Sequence, residues 1–128
     1  MVPPLVSRLG INFPRRSGEY KIVQIDIDGC PYLRFEDADS HAHSVMLLAL
    51  ARELGEKCPL VVADSGHGHN ILPALHADWY DVRGMGWASV DVAKRTARLY
   101  GQSSDYHIGI EPKHLRRLSQ SLRSWRLT

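Results

Sequence analysis

Only two cysteines, Cys30 and Cys58, stand among the 128 residues. No disulfide framework is therefore on offer, and stability must come from one packed core, which a chain of this length can bury as a single domain. Two free thiols fit a reducing compartment, so the chain reads as cytoplasmic. Long apolar runs are also missing. The longest, residues 45–51, falls far short of the roughly 20 residues that a membrane helix needs, so no membrane partner is expected. Net charge is small: 16 basic against 14 acidic side chains leave +2. That balance excludes a global pull on nucleic acid, which makes nucleic acid an unexpected partner. Acid is absent at both ends. Residues 1–18 carry Arg8, Arg15 and Arg16 without Asp or Glu, and Lys113, Arg116, Arg117, Arg123 and Arg126 follow the last acid. Pro3, Pro4 and Pro14 break up any amphipathic transit helix at the start. There is no internal repeat or low-complexity segment.

What is present alternates between strand and helix signals. Residues 20–28 are the clearest strand, with Lys21, Val23, Ile25 and Ile27 on one face and Tyr20, Ile22, Gln24, Asp26 and Asp28 on the other. Asp28-Gly29 is a hairpin turn, and residues 31–35 return as its partner. A short edge strand is expected around residues 9–13, closed by Pro14. Asp39 or Ser40 can cap a helix over residues 42–54, with Gly55 as its stop. On helical spacing His43, Leu47, Leu50 and Leu54 share one buried stripe, which puts an imidazole in the first turn. The apolar run 59–63 suggests a strand in the middle of a sheet, and residues 64–70, with two glycines and no large apolar side chain, suggest a loop. Residues 76–82 form a further expected strand, ending in a glycine loop at Arg83-Gly84-Met85-Gly86-Trp87. Ser89 then starts an expected helix through Leu99, residues 105–110 a last strand, and Pro112 a final helix bearing Leu115, Leu118, Leu122 and Trp125. The order implies an α/β fold, a single-domain sandwich of a mixed β-sheet with helices packed on it. Its parts are an N-terminal arm over 1–18, a main domain over 19–110 and a basic helical extension over 111–128, which can dock an acidic partner.

The chemistry starts from His43. A helix N-terminus disfavours imidazolium and welcomes an anion, so a histidine there stays neutral at pH 7 and can take a proton beside a phosphate. A glycine loop ahead of a helix would hold that anion on main-chain N–H groups, and Lys21 or Arg83 would offset its charge. Hydrolysis of a phosphate ester or phosphoamidate needs those three parts and no metal or other cofactor.

Three stretches resemble the Janus family of protein histidine phosphatases, the 14 kDa phosphohistidine phosphatases. Tyr20-Lys21-Ile22-Val23-Gln24-Ile25 is similar to the family's first core strand. His41-Ala42-His43-Ser44 is similar to its catalytic histidine ahead of a helix, and Val82-Arg83-Gly84-Met85-Gly86-Trp87-Ala88 to its phosphate loop, followed by Asp105-Tyr106. The resemblance implies a Janus-like fold and a phosphorylated protein, carrying phosphohistidine, as substrate. It implies that Lys21 contacts the phosphate, that His43 is the general base, and that the N–H groups of Gly84, Met85 and Gly86 hold the phosphoryl oxygens. Gly68 replaces a family arginine, and Arg83 and Gly84 replace an aromatic and a serine.

Two rival readings remain. His41, His43, His67, His69 and His76 with Asp64 are suitable residue types for a metal-dependent hydrolase. His41 and His43 diverge by roughly 200° on a helix, which weakens that chelate. The other rival is a family member that binds phosphorylated protein without turnover.

Overall fold

The computed structural model describes residues 11–39, 42–65 and 68–128. Strand β1 (Gly18–Ile27) turns into β2 (Cys30–Asp37), and helix α1 (His43–Leu54) follows. Next come β3 (Leu60–Ser65), β4 (Gly68–Pro73), β5 (Tyr80–Asp91) and β6 (Thr96–Tyr100), then helix α2 (Pro112–Ser121) and the short β7 (Arg126–Leu127). Five strands form one mixed sheet in the order β2-β1-β5-β6-β7, antiparallel except for the parallel β6–β7 pair. β3 and β4 make a separate antiparallel pair. The α/β class is as the sequence implies, with a helix packed on each face of the main sheet.

The alternation of β1 explains the two layers. Val23, Ile25 and Ile27 join Met46, Leu47 and Leu50 of α1, while Ile22, on the other face, joins Leu118 of α2 and Leu127 of β7. A strand buried on both faces must carry apolar residues at odd and even positions, and β1 is buried from Ile22 to Ile27. The Asp28-Gly29 turn has positive φ at both residues, 48° and 81°, the backbone that twists a two-residue hairpin correctly. Gly55 ends α1 in the left-handed conformation, its N–H returning to Arg52 and the next N–H to Ala51. Arg34 of β2 grips Glu53 with two bonds of 2.5 and 2.9 Å, fixing the far end of α1 against the sheet.

Several expectations are corrected. Ala42, not Asp39, is the N-cap of α1, without a side-chain cap; Ser40 lies outside the described residues. Residues 11–13 form no strand, and residues 9 and 10 lie outside the described residues. The apolar run at 59–63 is not central in a sheet. It belongs to the β3–β4 hairpin, where Leu60, Val62 and Ile71 are more than half exposed. Residues 64, 65 and 68–70 extend that hairpin instead of forming a loop, with 66 and 67 outside the described residues. Residues 89–99 hold no helix: β5 runs on to Asp91, turns, and returns as β6, so that buried Ala88 and Val90 alternate with half-exposed Ser89 and Asp91. Residues 105–110 are irregular, tied by an isolated bridge between Gln102 and Gly109. α2 stops at Ser121, before Leu122 and Trp125, and Trp125 instead stacks on Phe13 at 4.3 Å. The C-terminal segment is thus one wall of the sandwich, since Leu118 and Leu127 complete its second core.

Candidate functional site

His43 is the first residue of α1 and only 5% exposed. Its Nε2 lies 2.9 Å from the carbonyl oxygen of Gly86. A carbonyl only accepts, so Nε2 carries the proton and donates it, and the neutral ring keeps its lone pair on Nδ1. Burial pushes the His43 pKa below its ordinary 6.5, and the Lys21 ammonium pushes it the same way. The Gly86 carbonyl and the Asp105 carboxylate act in the opposite direction and do not prevail. A neutral imidazole is therefore held with one nitrogen anchored and the other unprotonated.

Lys21 sits opposite Trp87 in the β1–β5 register, and its Nζ lies 5.4 Å from the Trp87 ring centre. Both lie on the sheet face that α1 covers, so the β1–β5 pairing brings Lys21, Trp87 and His43 to one corner of the sheet. The 101–111 segment borders that corner. Gly101, with φ 78°, lies against Trp87 so closely that an added Cβ would be 2.8 Å from its Cδ1. Farther along, Tyr106 donates its hydroxyl to Pro73 O at 2.7 Å, anchoring the segment to β4.

The glycine loop expected at Gly84-Met85-Gly86 is a strand, and its glycines have a different purpose. The Met85 N–H donates to Gly109 O at 3.1 Å. A Cβ on Gly84 would lie 2.3 Å from Gln24 Oε1 and 2.6 Å from Gly109 O; one on Gly86 would lie 2.5 Å from Tyr100 O. Both glycines let the 100–111 segment cross the sheet at contact distance, the usual reason for glycine inside a strand. Three of the sequence-derived site residues thus come together: Lys21, His43 and Gly86, the last through its carbonyl.

Arg83 is placed elsewhere. Its Nε bonds Asp26 Oδ2 at 2.8 Å on the α2 face, where Arg117 adds bonds of 3.0 and 2.9 Å to the same carboxylate. Burial would raise the Asp26 pKa, but the two guanidiniums and neighbouring His114 hold it below 3.8. Beside it the fully buried Gln24 accepts from the Glu111 N–H at 2.7 Å and donates to the Glu111 carbonyl at 3.0 Å, which pins the start of α2 to β1. His114 donates Nε2–H to Ile25 O at 3.1 Å and accepts from Gln24 at Nδ1, and burial depresses its pKa.

The sequence reading missed Gln24 and Asp26 as anchors for α2. The available signal was two polar residues inside an otherwise apolar strand. It also missed the Gly86 carbonyl as the imidazole's partner, which no residue type announces. Cys30 and Cys58 are both free. Among the described residues no group of three or more His, Cys, Asp or Glu side chains could hold a metal, and His76 pairs with Asp81 at 2.8 Å. His41 and His67 lie outside the described residues. No described helix is long and apolar enough to cross a membrane. No protein-family model matches the chain, and a search of curated proteins gives no match.

Proposed function

We propose that the chain is a phosphohydrolase of the Janus type, acting without a cofactor on a phosphohistidine-bearing protein. The observation that carries this reading is the anchored imidazole: Nε2–H on Gly86 O, a depressed pKa, and the Lys21 ammonium close enough to act on it. The resemblance around Lys21 and His43 supports it as well. His43 Nδ1 takes a proton from water as the water oxygen attacks phosphorus. The P–N bond breaks, and the departing imidazole nitrogen leaves as N–H once a proton is returned to it. Lys21 offsets the phosphoryl charge, together with the positive dipole end of α1 at its first turn. The Trp87 ring, 5.4 Å from Lys21 Nζ, helps to position that cation. Arg83 has no part in this chemistry; it belongs to the Asp26 cluster.

The strand form of residues 84–86 favours one second reading, a phosphate-binding module without turnover, because those N–H groups are not gathered into an oxyanion cradle. Phosphate release from a phosphohistidine peptide by the wild type, Lys21→Gln and Arg83→Gln distinguishes these readings. The phosphatase reading expects turnover that falls at least about tenfold in Lys21→Gln and is retained by Arg83→Gln at a temperature where that variant is folded. Saturable phosphopeptide binding without turnover would instead establish the binding module.

A further inference from the structure

Away from His43, a cavity of about 530 Å³ opens between the β5–β6 turn and the C-terminal segment, lined by Lys94, Arg95, Arg123, Arg126, Ser124 and Trp125 among others. It lies on the α2 side of the sheet, since Trp125 packs against that core. Four exposed cationic side chains line it, and no carboxylate does. The acid of this turn, Asp91, accepts the Lys94 backbone N–H at 3.1 Å and stands outside the lining. Four like charges around one concave surface give it a positive potential that favours an entering anion.

A second observation concerns the backbone. Arg95 has φ 54°, the left-handed region that glycine or asparagine fills at lower cost. It is held there on both sides: its N–H donates to Val92 O at 3.2 Å, and its carbonyl accepts the Arg126 N–H at 2.9 Å. The turn thus keeps an arginine in a costly backbone conformation, and the β6–β7 pairing brings the Arg95 backbone beside that of Arg126.

We propose that this cavity binds a compact polyphosphate anion, of the class of a nucleoside di- or triphosphate. Three arguments fix the class. The volume lies in the range of small-molecule sites, too small for a folded partner. Arginine forks match phosphate oxygens bidentately, and four cations match the charge of a chain of two or three phosphates. Trp125 adds an aromatic side chain to the lining, its ring held by stacking on Phe13 at an interplanar angle of 2°.

The test is calorimetric titration of the full chain with inorganic tripolyphosphate, a nucleoside triphosphate and a single-stranded oligonucleotide, without added metal. Saturable one-to-one binding of tripolyphosphate or the nucleotide is expected, weakening as salt rises. An Arg95→Glu, Arg123→Glu pair should lose at least about tenfold in affinity, the loss expected when charged hydrogen bonds are removed. A Lys113→Glu, Arg116→Glu pair, which reverses the same charge on α2 outside the cavity, should lose much less. Arg95→Gly separates binding from folding: its thermal midpoint should stay level or rise, while its affinity falls. No saturable binding would overturn the proposal, as would equal loss in both reversed pairs, which is general charge attraction. Binding of the oligonucleotide alone would overturn it too, in favour of an extended nucleic-acid surface. Tighter binding of the nucleoside triphosphate than of tripolyphosphate would identify the source as a nucleotide, and equal binding a free polyphosphate.

Discussion

Gly84→Ala decides whether residues 84–87 are a strand or an anion loop. The new methyl would start 2.3 Å from Gln24 Oε1 and 2.6 Å from the Gly109 carbonyl. Neither neighbour can yield cheaply. Gln24 is fully buried, with its amide committed to both backbone groups of Glu111, and Gly109 O accepts the Met85 N–H. Moving Gln24 aside breaks two hydrogen bonds worth about 1 kcal/mol each, and displacing the 109–111 backbone adds overpacking strain of roughly 1–3 kcal/mol. The expected loss is about 3–5 kcal/mol, which for a domain of this size lowers the thermal midpoint by roughly 10–25 °C. Thermal unfolding followed by circular dichroism measures it, and urea unfolding gives the free energy. In an open glycine loop the same change would be neutral, or stabilising by ~0.5 kcal/mol through the unfolded chain. An unchanged midpoint would therefore refute the strand reading and the packing argument with it.

Further outcomes follow from the same geometry. Asp26→Asn should cost about 2–3 kcal/mol, because a buried carboxylate accepting three arginine bonds is replaced by a poorer partner. Its depressed pKa means the wild-type contribution is full above about pH 4 and is lost as pH falls through the folded value, so the stability gap between the wild type and Asp26→Asn should be widest near neutral pH and narrow in acid. His43 and His114 are both depressed, so their contribution is full above pH 6.5 and declines as pH falls below it; midpoints measured from pH 7 to 5 should drop, and less so in His114→Gln relative to its own value at pH 7. The acid limb of the rate profile should lie below pH 6.5, and Lys21→Gln should move it upward, since removing the ammonium lets imidazolium form more readily.

Where the sequence was informative, one physical rule acted without competition. The β1 alternation assigns Lys21 to the His43 face because a strand's side-chain period leaves no choice. The Asp28-Gly29 hairpin and the Gly55 stop follow from backbone conformations that few residues adopt. Legibility failed where two rules gave the same pattern. Glycines at 84 and 86 fit an anion loop and a crowded strand equally well, and only the 100–111 segment, distant in sequence, decides between them. Residues 89–99 carry basic side chains at helical spacing, yet Val90 and Val92 are β-branched and the chain reverses at Arg95. The run at 60–62 is apolar enough for a sheet centre, but its pairing with β4 alone leaves it in the open.

The most direct measurement is phosphate release from a phosphohistidine peptide by the wild type and His43→Ala, with and without EDTA. Turnover that resists EDTA and vanishes in His43→Ala is the result the account predicts. Turnover that survives the substitution, or that EDTA abolishes, would contradict it.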